Sequence, residues 1–251
     1  MQLLLDAGNS RLKWQLVDDK RKHEGCCAYS DLGCLAELVG ATRLDRVLVS
    51  SVRGPEFDRE LVLASRDQFG IEPFFAVVEQ ECLGLVAAYD DFRRLGVDRW
   101  LAMLAAFHRE KSVCVVIDAG TAITADFVGL GGRHQGGLIV PGVQAMTRAL
   151  LSSTSAIDVK SLTPPQTWRP GCDTLACVEQ GVAAALKGLM SEVVAYTDTM
   201  AKELPSASAA TIYLTGGDMA LLRSWLPASA KCESDLVLQG LLLNQCWDIR
   251  Q

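Results

Sequence analysis

LLLDAGNSRLKWQLV, residues 3–17, runs through three leucines into Asp6-Ala7-Gly8 and then alternates, with Leu12, Trp14 and Leu16 set against Lys13 and Gln15. A short apolar run bounded by a Gly-Asn turn reads as a buried strand over 2–7. The alternation after it reads as a half-buried hairpin partner over 11–17. The same pattern returns at residues 113–128, VCVVIDAGTAITADFV, with Asp118-Ala119-Gly120 at the turn. Writing an apolar strand that ends in Asp-Ala-Gly-polar twice points to a duplicated unit.

The segments around the two turns support that reading. HEGCCAY (23–29) is expected to be a third strand, 31–39 a helix, RVLVSSV (46–52) a strand, 55–69 a helix opened by Pro55, and PFFAVV (73–78) a strand. A turn-rich stretch leads to Gly96, and a helix is expected over 97–109. In the second half, RHQGGLIVPG (133–142) is a strand ending at Pro141-Gly142, and VQAMTRALL (143–151) is a helix. The Ser/Thr/Pro-rich residues 152–172 form a loop, followed by a long helix over 173–202. TIYLTGGD (211–218) is a strand entering a Gly-Gly turn, and the tail from Asp235 reads as an amphipathic helix. The fold class is therefore α/β, with two similar domains over 1–110 and 111–251.

Composition narrows the function. With 251 residues, 49% hydrophobic, and a mean hydropathy of +0.19, the chain can bury a large core and leave apolar surface for a partner subunit. Its net charge is −6 and its basic residues form no stripe, which argues against nucleic acid as a partner. MQLLLD meets an acid too soon for a signal peptide or a membrane span, so a cytoplasmic protein with no membrane partner is expected. Nine cysteines without a Cys-x-x-Cys pair read as small buried hydrophobes in a reducing compartment. His23, His108 and His134 are too dispersed for a zinc motif, and no Gly-x-Ser-x-Gly nucleophile elbow occurs.

Glycine at a strand end lets the backbone approach a ligand closely, so that successive N–H groups converge on phosphate oxygens. The hydroxyl of Ser10 or Thr121 can assist. An aspartate at the same corner repels bare phosphate and makes sense beside a cation such as Mg²⁺, which takes one or two carboxylates plus phosphates and water. Either turn alone is equally an ordinary Asx-type hairpin turn. A pair of them, facing one another across a cleft, can hold a nucleoside triphosphate from both sides.

DAGNSRLKW and DAGTAITAD resemble the first and second phosphate motifs of the acetate-and-sugar-kinase/heat-shock/actin superfamily, and LTGGD (214–218) resembles its adenosine motif. With YDDFRRLGVDRW (89–100) and GGLIVPG (136–142) between them, the order and spacing are similar to those of the type III pantothenate kinases. The resemblance covers nearly the whole chain. It implies two ribonuclease H-like (actin-like ATPase) domains with a nucleotide cleft between them. The activity it implies is ATP-dependent phosphorylation of pantothenate to 4′-phosphopantothenate, the first step of coenzyme A biosynthesis.

The resemblance also assigns roles. ATP would be bound by Asp6, Ala7, Gly8, Asn9, Ser10, Arg11, Leu12 and Lys13, with Asp6 near Mg²⁺, and by Thr121 from the second half. Asp118 matches the position for a monovalent cation, K⁺ or NH₄⁺. Asp98 matches the general base, and Arg99 offers a planar fork to the pantothenate carboxylate. Tyr89, Gly96, Val97 and Thr174 complete the substrate set. A homodimer is implied as well.

Plainer readings of the same residues remain. Asp98 suits the first turn of any helix through its dipole, and Thr174 equally suits a plain helix start beside an Asp173 cap. Lys13 could be a solvent-facing strand residue, Asp126 a hairpin acid, and Trp14, Trp100 and Trp247 core or interface. Two other functions also stay open: a kinase of this fold for another small hydroxylated substrate, and a non-catalytic nucleotide-binding regulatory protein.

Overall fold

Leu3, Leu4 and Leu5 are each at most 1% exposed, so β1 (Gln2–Ala7) is covered on both faces and needs no polar alternation. It pairs antiparallel with β2 (Leu12–Val17), and β2 pairs antiparallel with β3 (Lys22–Cys27). On its other side β1 pairs parallel with β4 (Arg46–Ser51), and β4 pairs parallel with β5 (Phe74–Ala76). The computed structural model describes residues 1–18, 22–29, 35, 39, 43–151, 168–202, 204 and 210–248. The helix expected over 31–39 lies outside these, apart from Leu35 and Val39, which are helical and buried. The loop expected over 152–172 lies outside them as far as residue 167.

Helix α1 (Pro55–Phe69) starts at a proline whose fixed φ suits the first turn and stops at Gly70, at a left-handed φ of 67°. It buries Phe57, Leu61 and Val62 in the same core as Leu3, Leu5 and Val49. A hairpin, β6 (Glu81–Cys82) and β7 (Leu85–Val86), turns through Leu83 and Gly84, both at positive φ. Helix α2 (Val97–Glu110) is buried from Trp100 to Phe107, as expected of a helix inside the core and not on its surface.

A second sheet repeats the pattern. β8 (Cys114–Ala119) pairs antiparallel with β9 (Ala122–Val128), which pairs antiparallel with β10 (His134–Pro141). β8 also pairs parallel with β11 (Thr211–Thr215), and β11 pairs parallel with β12 (Lys231–Cys232). The order β3-β2-β1-β4-β5 thus has the same directions as β10-β9-β8-β11-β12. The duplication read from two short turns extends through five strands. Helix α3 (Val143–Leu151) follows β10. Helix α4 (Thr174–Ala201) is capped by Asp173, whose carboxylate accepts from Ala176 N–H at 2.8 Å.

The chain divides into two compact units, Met1–His108 with Asp235–Gln251, and Arg109–Ser234. The tail was expected as an amphipathic helix of the second half and differs on both counts. Helix α6 (Leu236–Leu243) follows the short α5 (Met219–Leu222) and is apolar nearly all round, with Leu236, Val237, Leu238 and Leu241 buried in the first unit. A Cβ on Gly240 would stand 2.1 Å from the Leu101 carbonyl oxygen, so α6 and α2 meet backbone to backbone. β13 (Trp247–Asp248) then pairs antiparallel with β5 as a sixth strand. Burial, not periodicity, recruits this segment.

The cysteines also depart from expectation. Cys82 and Cys114 are buried, and burial pushes their thiols up to about 11 and about 12. Cys26, Cys172, Cys177 and Cys232 are exposed.

Candidate active site

The first Asp-Ala-Gly turn joins β1 to β2 through residues 8–11. Asp6 is buried at 7% exposure, beside Ser50 of β4 and across from Lys13 of β2 in the strand register. Ala7 and Leu12 are buried and anchor the turn, whereas Asn9, Ser10 and Arg11 are exposed. Neither Gly8 nor Gly120 adopts a positive φ. A Cβ on Gly8 would meet nothing nearer than 3.7 Å, so what Gly8 provides is open space above the turn.

Two residues that the sequence did not single out hold this turn. The Tyr29 hydroxyl lies within hydrogen-bonding reach of the Gly8 and Arg11 carbonyls, the latter at 2.7 Å. Arg53 donates from Nη1 to the Asn9 carbonyl at 3.2 Å. Both act on main-chain oxygens from distant segments, a kind of contact that leaves no residue pattern to read.

The residues of the first unit expected to bind substrate gather around the start of α2. Asp98 Oδ1 accepts from the Arg99 N–H at 2.8 Å and lies where a Cβ on Gly96 would come within 2.7 Å of it. A side chain at position 96 would therefore displace the Asp98 carboxylate. Arg99 Nη1 donates to the Tyr89 hydroxyl at 3.1 Å, which orients the guanidinium. Tyr89, Gly96, Val97, Asp98 and Arg99 are all half-buried, accessible yet held. A cavity of about 600 Å³ opens beside them, bounded by Gly96, Val97, Phe92 and the ends of β4 and β5 at Ser51 and Ala76. Its place beyond the carboxyl ends of parallel strands is where ligands enter open α/β sheets.

In the second unit three motifs converge. Gly142 N–H donates to the Thr121 carbonyl at 2.9 Å, and Asp218 N–H donates to the Ala119 carbonyl at 2.8 Å. Gly216, at φ 96°, is pressed so close that a Cβ would lie 2.3 Å from Ala119 O and 2.4 Å from Asp118 Oδ1. GGLIVPG and LTGGD therefore both pack on the Asp118–Thr121 turn. Thr174 is the exposed first residue of α4. Asp126 of β9 and His134 of the adjacent β10 form a buried pair, with His134 Nε2 3.1 Å from Asp126 Oδ1. Trp100 is fully buried and Trp14 nearly so, as core residues.

Residues 2–196 match the family described as type III pantothenate kinase. The type III pantothenate kinase of Teredinibacter turnerae is 42% identical over 97% of this chain and 98% of its own length. That of Pseudomonas savastanoi pv. phaseolicola is 38% identical over the same shares. Among solved structures, a conserved putative Baf family transcriptional activator from Campylobacter jejuni superposes with a TM-score of 0.60 at 21% identity, covering 96% of this chain and 95% of its own. A putative 2-dehydro-3-deoxygalactonokinase from Sinorhizobium meliloti gives 0.51 at 15% identity, with the same coverage. These two share the fold alone, an α/β fold of the actin-like ATPase and sugar-kinase class.

Proposed function

The chain belongs to the type III pantothenate kinases, and from that premise we infer that it carries out their reaction, ATP-dependent phosphorylation of pantothenate to 4′-phosphopantothenate, which opens coenzyme A biosynthesis. It is a phosphotransferase with an alcohol as acceptor. The observation behind the assignment of roles is the Gly96–Arg99 corner: Gly96 and Val97 line a cavity, and they are followed directly by Asp98 and by Arg99, whose guanidinium is oriented by Tyr89.

Phosphoryl transfer asks little covalent chemistry of a protein beyond positioning, charge stabilisation and a proton acceptor. Asp98 takes the proton of the pantothenate primary hydroxyl as its oxygen bonds to the γ-phosphorus and the bond to the ADP oxygen breaks. Arg99, steadied by Tyr89, pairs with the pantothenate carboxylate. The Asp6–Lys13 turn is assigned to the ATP phosphates, and Thr121 to ATP binding.

Two cations fit the residues present. Asp6 offers one buried carboxylate beside the phosphate turn, the single protein ligand that Mg²⁺ needs when it comes with phosphates and water. Asp118 Oδ1 and the Ala119 carbonyl oxygen lie together against Gly216 and are hard oxygen donors of the kind K⁺ would take at that position. When bound, such cations offset phosphate charge.

A homodimer is supported by the edge strand β10, whose Leu138 and Ile139 are 41% and 61% exposed, and by Leu150, Leu175 and Tyr196, exposed on α3 and α4. Among the described residues no helix is long and apolar enough to cross a membrane. A cytoplasmic location suits an enzyme that consumes ATP.

The test is ADP release by the purified chain with and without pantothenate, in potassium and in sodium buffer. Acceptor-dependent ADP formation is expected. ATP binding with no such turnover would overturn the reading.

A further inference from the structure

We propose that Tyr29 and Arg53 are positioning residues of the phosphate turn: by holding the carbonyls of Gly8, Asn9 and Arg11 they set the intervening N–H groups towards the nucleotide phosphates. This rests on the reading that the Asp6–Lys13 turn receives those phosphates.

The two side chains form one stacked unit. The Arg53 guanidinium lies 4.3 Å above the Tyr29 ring and 5.4 Å from that of Phe57, and the two rings meet edge to face at 4.9 Å. Phe57 is buried in α1, so the unit is rooted in the core. Arg53 is also held by its backbone. Its N–H donates to Ser51 Oγ at 3.4 Å, and the Ser51 hydroxyl donates to the buried Asp58 carboxylate. Burial, opposed by Arg53 and assisted by Asp6, pushes the Tyr29 phenol up to about 12, so it remains an O–H donor at neutral pH.

Peptide planarity carries the argument from these contacts to the ligand. In a trans peptide the C=O and the N–H point to opposite sides. Holding the Gly8 carbonyl therefore directs the Asn9 N–H to the other side, and holding the Asn9 carbonyl does the same for the Ser10 N–H. Two successive N–H groups aimed one way make the concavity that binds anions. An exposed turn without these bonds would have to be ordered by the nucleotide itself, at the expense of affinity.

The test measures KM for ATP, KM for pantothenate and kcat for Tyr29→Phe, Arg53→Gln and Arg53→Ala, with Gly8→Ala as the test of the turn. Binding of inorganic triphosphate is followed alongside. Tyr29→Phe keeps the ring under Arg53 and loses only the hydroxyl. It is expected to raise the ATP KM roughly ten-fold, the effect of about one hydrogen bond. Triphosphate affinity should fall to match, with the pantothenate KM and kcat nearly unmoved. Arg53→Gln, which keeps a donor for the Asn9 carbonyl, should lose less than Arg53→Ala. A pantothenate KM that shifts as much as the ATP KM, or an Arg53→Gln no better than Arg53→Ala, overturns the proposal. If Gly8→Ala raises the ATP KM while Tyr29→Phe and Arg53→Ala do not, this inference alone fails. If Gly8→Ala changes nothing, the phosphate-turn reading fails with it.

Discussion

Gly142 stands so close to Gly120 that a Cβ on it would lie 2.2 Å from the Gly120 carbonyl oxygen and 2.7 Å from that of Thr121. Its φ is not positive, so the demand for glycine there is one of contact and not of backbone conformation. Helix α3 therefore starts directly against the turn that carries Asp118.

Replacing Gly142 with alanine should push that turn outwards. Overpacking of this kind costs about 1–3 kcal/mol. Thermal unfolding should show the lower stability, and initial rates at fixed ATP and pantothenate should fall well beyond it, because the displaced groups are those assigned to the cation and to ATP. A variant of lowered stability with unchanged turnover would separate the turn from function.

Asp98→Asn should lower kcat by about 10²-fold or more, the usual contribution of a positioned general base, while the melting temperature stays close to that of the parent chain. Gly96→Ala provides an independent check. Its Cβ would come within 2.7 Å of Asp98 Oδ1 and displace the carboxylate without removing it, so kcat should fall here too. Normal turnover in Asp98→Asn would mean that another group takes the proton.

Turnover should depend on the monovalent cation in the buffer, and Asp118→Asn should weaken that dependence. Exchanging potassium for sodium at constant ionic strength, with ADP release as the readout, measures it. Equal rates in the two buffers would remove Asp118 from that role.

Asp235 links acid stability to the docking of the tail. It is 8% exposed and accepts from Lys22 Nζ at 2.5 Å, Gln239 Nε2 at 2.7 Å and Gln15 Nε2 at 3.3 Å. Burial by itself would raise its carboxyl, but the bonds from Lys22, Gln15 and Gln239 outweigh it and hold the pKa below the ordinary value. A folded-state pKa below the unfolded one gives stability that is complete above the unfolded value, about 3.9, and is lost as the pH falls through the folded one. Melting temperature measured from about pH 6 down to about pH 2 should therefore decline less steeply in Asp235→Asn than in the parent chain. Parallel curves would show that the carboxylate contributes nothing.

Local chemistry made part of this molecule legible. Leu3–Leu5 and Val115–Ile117 read as buried strands because an unbroken apolar run closed by Asp-Ala-Gly is a property of adjacent residues, and the alternation in Leu12–Val17 names its own inward face. Asp98 and Arg99 were singled out through the family resemblance, whose motif at this point is a run of adjacent residues. Tyr29 and Arg53 went unnoticed because they grip carbonyl oxygens, which every residue has.

From the order of its residues alone the chain determined its paired strand–turn–strand units and the chemical groups they carry, since periodicity and glycine corners act within a few positions. Tertiary structure decided which segments come together: Gly142 and Gly216 on the Asp118 turn, Gly240 on Leu101, and Tyr29 with Arg53 beneath Gly8–Arg11. The reason is that an apolar face tells a segment to be covered without saying by what. The partner is chosen by how closely two backbones can approach, which depends on residues far apart in the chain.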